Sequence, residues 1–189
     1  KKKEKKNTKF IVSSKVYFNG MATDLDSDND GDVEVLRQIL SNDYLHTEIR
    51  AKGGAYGDGL NSGLDYLAEF TFRDPQVARS LGVMRKSAEF LEGCELDQDE
   101  LERRKIASTL KFNKAYGKGQ KGKLAFVRML QGMTEEDDLK AYREILDTDL
   151  DKLKEKYVDK LKRLEDAPVA VIGPESDDGI EYDNIIDIR

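Results

Sequence analysis

The stretch LDYLAEFTFRDP, Leu64 to Pro75, decides the fold. Leu64, Tyr66, Ala68, Phe70 and Phe72 share one parity, and Asp65, Leu67, Glu69, Thr71 and Arg73 take the other. Strand side chains alternate between faces, so this period of two predicts a strand with one largely apolar face. Polar residues on the second parity predict a half-buried antiparallel strand, because a parallel strand covered on both sides reads as an unbroken apolar run. Asp74 and Pro75 carry the signs of a helix start, a capping carboxylate and a first-turn proline. The stripe Val77, Leu81, Met84, Ala88 and Leu91 predicts that helix, with Gly93 after its end.

Working upstream, the glycine-rich residues 55–61 are predicted to pair with this strand. Val33, Leu36, Ile39, Leu40, Leu45 and Ile49 have helical spacing, and Gly53 stands where a C-cap belongs. Phe10, Val12, Val16 and Phe18 predict an earlier strand. Downstream, a charged helix runs from Asp97 to Leu110, and the loop AYGKGQKGK separates it from the helix LAFVRML. Capping boxes at Thr134–Asp137 and Thr148–Asp151 predict two more helices, with stripes Leu139, Tyr142, Leu146 and Leu150, Leu153, Tyr157, Leu161, Leu164. Val169–Ile172 is a short strand ended by Gly173-Pro174, and the acidic tail is irregular as far as Ile185, Ile186 and Ile188. Strands early, helices late and one strand at the end give an α+β fold: an antiparallel-rich sheet with helices on one face, a two-layer sandwich. Residues 9–189 form a single domain after a charged linker or domain edge at 1–8.

The 189 residues suffice for one domain with a real core. No apolar run approaches the ~20 residues of a membrane span, and KKKEKK at the start leads into no signal-peptide core. A single cysteine, Cys94, excludes an internal disulfide and fits a reducing compartment. The net charge is -6, while the first six residues carry five lysines and one glutamate, so the body is more acidic still. An acidic body argues against nucleic acid as a partner. The one histidine, His46, excludes two-histidine zinc sites and histidine dyads within the chain, and no G-x-S-x-G accompanies it for a serine triad.

Four features invite a chemical reading. In DSDNDGDV, Asp26, Asp28 and Asp30 occupy the first, third and fifth positions of a calcium loop and Gly31 the sixth, but the twelfth is Arg37 where a bidentate acid belongs. The bland reading is an acidic turn favouring the helix N-terminus that follows. Gly117, Gly119 and Gly122 form a G-x-G-x-x-G without the strand before it that a dinucleotide site needs, so a flexible basic loop is expected. Cys94 is expected to be an ordinary thiol. In IRAKGGAYGDG, Arg50 falls in the last turn of a helix and Tyr56 enters the next strand. The pair suits an oxyanion or peptide carbonyl; spacing alone equally fits an arginine on helix-end carbonyls and a packed tyrosine.

LHTEIRAKGGAYGDG with FTFRDP, and KGKLAFVRMLQGMTEEDDLKAYREILDTDLDKL with the final VAVIG, resemble the C-terminal half of the pitrilysin/insulinase zinc metallopeptidases. The presequence-protease branch, which includes falcilysin, is the nearer likeness, and the resemblance covers most of residues 35–173. It implies the last of four related α+β domains, whose two halves close on a peptide like a clamshell. It implies zinc in the complete enzyme, bound by the N-terminal half through an inverted H-x-x-E-H motif absent from this chain, and none here. Arg50 and Tyr56 align with the family's arginine and tyrosine, which reach the substrate near the scissile bond, with Gly53, Gly54 and Ala55 as substrate-binding backbone between them. Zinc-bound water would attack the peptide carbonyl. The implied partners are the zinc-bearing half and peptide substrates, with no nucleic acid or membrane. The implied setting is intracellular, a bacterial cytoplasm or an organelle lumen such as a mitochondrial matrix, a plastid or a parasite organelle. The alternative is a non-catalytic subunit or peptide-binding module of the same fold, with the acidic turn binding calcium.

Overall fold

Among the described residues six strands form one sheet, with helices packed against one of its faces. The strands are β1 (Thr8–Ile11), β2 (Tyr17–Asp24), β3 (Gly57–Ser62), β4 (Tyr66–Asp74), β5 (Val169–Gly173) and β6 (Asn184–Asp187). The computed structural model describes residues 6–26, 30–63, 65–113 and 117–189. Pairing is antiparallel from β3 through β4 and β2 to β5, then parallel from β5 to β1 and from β1 to β6. The α+β expectation therefore holds.

The helices are α1 (Val33–Ile39) with a π-helical continuation (Leu40–Ala51), α2 (Val77–Met84), α3 (Ser87–Gly93), α4 (Gln98–Thr109), α5 (Lys118–Gln131), α6 (Glu135–Leu146) and α7 (Leu150–Lys162); they form the layer over the sheet, except α5, which buries none of its described side chains. The core lies between this layer and the sheet. Leu36, Ile39, Leu45, Ile49, Leu81 and Tyr157 are wholly buried in it, each apolar side chain contributing roughly 1.5–3 kcal/mol.

Several expectations are corrected. Phe10 to Phe18 is two strands, because residues 12–16 turn the chain from β1 to β2. The aromatic parity of β4 faces away from the helices. Leu67, Glu69, Thr71 and Asp74 are buried, while Tyr66 and Phe72 are exposed; Leu64 lies outside the described residues. Asp74 closes β4, and its Oδ1 accepts from Gln76 N at 2.7 Å, so the helix starts at Val77. The stripe Val77 to Leu91 is shared by α2 and α3, which break at residues 85–86. The G-x-G-x-x-G is no loop: Gly117 caps α5, and Gly119 and Gly122 lie inside it. Thr134 makes the predicted capping box, but α7 is capped by Asp149, while the Thr148 hydroxyl donates back to Glu144 O at 2.9 Å.

Candidate functional site

The π-helical segment ends at Ala51 with Lys52 as its C-cap, and the chain reverses through Gly53 and Gly54. The two glycines do different jobs. Gly54 has φ +79°, the left-handed region that a Cβ disfavours. At Gly53 a Cβ would stand 2.4 Å from the Ile49 carbonyl oxygen, so close approach, and no helix cap, is the reason for glycine there. Gly54 N donates to Arg50 O at 3.0 Å and Ala55 N to Ile49 O at 3.3 Å. Helix α2 braces the turn, with Gln76 Nε2 donating to Gly53 O at 2.8 Å and Arg79 Nη1 to Glu48 O at 2.5 Å. Of the three predicted backbone residues only Gly54 is exposed; Gly53 and Ala55 are buried.

This turn brings Arg50 and Tyr56 together. The Arg50 guanidinium lies 5.9 Å from the Tyr56 ring centroid, within cation-π range. A second guanidinium, Arg73, lies 5.7 Å from the same ring. Sequence reasoning missed Arg73 because strand parity assigns it to the face opposite Phe72. Instead the register slips between Tyr17 and Phe18, leaving Arg73 as the extra residue of a β-bulge with φ +51°. A bulge re-aims a side chain, and Phe72 and Arg73 are both exposed. Tyr56 is 63% exposed and packs on Phe72 at 5.8 Å between centroids. Among the described residues neither guanidinium has a hydrogen bond or ion pair.

Beneath them Asp58 has a buried carboxylate, with Oδ1 3.7 Å from His46 Nδ1. Desolvation raises its pKa above the usual carboxylate value, opposed by the charges of His46 and Arg50. His46 thus faces an acid across the helix–strand junction.

The acidic turn lies elsewhere. Asp26 pairs with Arg163 at 2.6 Å and Asp30 with Lys156 at 2.7 Å. Asp28 is outside the described residues. Among the described residues no three His, Cys, Asp or Glu side chains are grouped to hold a metal ion, and with one histidine and one cysteine the donor set does not fit a catalytic zinc. Cys94 is buried, and desolvation raises its thiol pKa. No described helix is long and apolar enough to cross a membrane.

Residues 7–172 match the family described as the PreP C-terminal domain. The mitochondrial presequence protease of Schizosaccharomyces pombe is 35% identical over 150 residues, covering 77% of this chain and 14% of that protein. Among solved structures, pitrilysin superposes with a TM-score of 0.63 at 16% identity, over 97% of this chain and 22% of the other. A peptidase M16 inactive domain from Pseudomonas fluorescens gives 0.61 at 17%, over 90% and 44%. Both structures share the fold. The chain spans only a small part of its curated relative's length.

Proposed function

The chain belongs to the PreP C-terminal domain family, and from that premise we propose that it is the last domain of a zinc metallopeptidase that degrades peptides in a closed chamber. Its contribution is the Arg50–Tyr56 pair, joined by Arg73, which holds the substrate and the developing oxyanion. The observation that carries this is the exposed Tyr56 phenol flanked by two guanidiniums, at 5.9 and 5.7 Å, neither of which has a hydrogen bond or ion pair among the described residues. Such charged donors at a surface complement a carbonyl oxygen or an oxyanion. Gly54 presents backbone at the same turn. Zinc would be held by the N-terminal half of the parent polypeptide, the partner across the chamber. An organelle such as the mitochondrial matrix fits the relative named above.

Cleavage of a quenched peptide by this chain alone and by the full-length parent, each with and without a zinc chelator, tests the reading. Cleavage by the parent only, stopped by the chelator, is expected. A parent inert under all conditions would leave a peptide-binding module of the same fold.

A further inference from the structure

The face of the sheet that carries no helices is sorted by side-chain size. Register aligns Phe72 with Phe18, Phe18 with Ile172, and Ile172 with Phe10. These large residues make a ridge running across four strands. Beside the ridge the register aligns Ala22 with Ala68 and Gly20 with Ala170. Small residues next to large ones leave a trough, here about 450 Å³, with Phe70 lining it and Asn61 contributing an amide.

The trough lies further along the same face of β4 than the arginine–tyrosine cluster, with Phe72 and then Phe70 between the cluster and Ala68. Tyr56 packs on Phe72, the end of the ridge. Ala68 follows Phe72 four residues back along β4, about 13 Å at the rise of a strand. An extended peptide spans that distance in about four residues. The two ends differ in chemistry: guanidiniums with no hydrogen bond or ion pair among the described residues suit backbone carbonyls, and the alanine–glycine floor suits an apolar side chain. An extended peptide has both groups at that separation.

We propose that the trough is a side-chain subsite that takes an aliphatic or aromatic residue of an extended peptide, about four residues from the one held at Arg50 and Tyr56. The inference rests on the reading of that pair as a peptide contact, so its test must separate the two. The intact parent is titrated with fluorescently labelled peptides and anisotropy gives Kd, which needs no turnover. One long series carries Leu, Phe or Asn at successive positions, and a second series is too short to span the distance.

One position in the long series should bind about tenfold more tightly with Leu or Phe than with Asn. Ala68→Trp and Ala170→Trp, which fill the trough, should erase that preference and leave the short series unchanged. Ala22→Leu, a smaller intrusion on the same floor, should reduce the preference and guards against a misfolded tryptophan variant, which circular dichroism would reveal. Absence of any position preference in the wild type, or its survival in both tryptophan variants, overturns the subsite. So does loss of parent stability in those variants with the preference intact, since another domain would then occupy the trough. Arg50→Ala should weaken both series alike. If it weakens neither while the trough variants act as described, the Arg50–Tyr56 reading fails and the subsite stands.

Discussion

Arg73 is a position where function and stability should pull apart. It is a non-glycine residue at φ +51°, a conformation that costs an L-residue about 1–2 kcal/mol. At an ordinary strand position glycine is less stable than alanine by about 0.5–1 kcal/mol, because the unfolded glycine chain has more freedom to lose. At Arg73 the order should invert. Alanine keeps the strain and glycine relieves it, so Arg73→Gly should exceed Arg73→Ala by about 0.5–1 kcal/mol after the entropy cost is subtracted. Arg73 also lacks hydrogen bonds and ion pairs among the described residues, so removing its side chain should cost the fold little. Urea unfolding of the two variants, followed by circular dichroism, measures the difference. With a slope of about 2 kcal/mol per molar it is a midpoint shift of about 0.3–0.5 M. Both variants should lose peptide affinity in the intact parent to the same extent. A glycine variant less stable than the alanine variant would refute the strain argument, and undiminished affinity in both would remove Arg73 from the site.

Two further outcomes follow from buried charge. Glu69 is wholly buried, and among the described residues neither carboxylate oxygen has a hydrogen-bond partner. Desolvation pushes its pKa up to about 8, the nearby Ser87 hydroxyl opposing this only in part. The folded state therefore holds a proton that the unfolded state releases near 4.5. Stability should be fully present below that value and fall as pH rises through 8, by on the order of 3 kcal/mol between pH 5 and 8. Glu69→Gln should flatten that slope in chemical denaturation at several pH values; an unchanged slope would show that Glu69 is not its source. Lys9 and Asp178 form a 2.7 Å ion pair with side chains only 5% and 3% exposed. Lys9→Met should cost about 3–5 kcal/mol by stranding the aspartate, and Lys9→Met with Asp178→Leu should recover most of it. Equal losses in the single and double variants would mean that packing against Tyr17 and Tyr182, and not charge, is what the lysine supplies.

The sequence announced elements whose signals are local and repeated. The alternation through Tyr66–Phe72 gave β4, and Leu153, Tyr157 and Leu161 gave α7, because each pattern matches the geometry of its own element. What it hid depends on neighbours. Which parity of β4 meets the helices is set by the helix layer, so the aromatic parity, which looks like core, lies on the open face. The break between α2 and α3 leaves the apolar spacing intact, so periodicity cannot register it. The bulge at Arg73 arises from pairing with β2, and local composition does not encode it. Arg50 and Tyr56 stand out through the resemblance of their stretch to a family, and spacing alone leaves them ambiguous. The structure adds their proximity, which is a property of the folded turn.

The central claim is that this domain lends a charged donor to peptide hydrolysis performed by its parent. The most direct measurement is kcat/KM of the intact parent carrying Arg50→Ala, alongside Tyr56→Phe, on one quenched peptide. Loss of one oxyanion donor costs about 2.7–4 kcal/mol of barrier, so Arg50→Ala should fall by about 10²–10³ with zinc content and unfolding midpoint unchanged. Wild-type turnover in both variants, with the fold intact, would contradict the account.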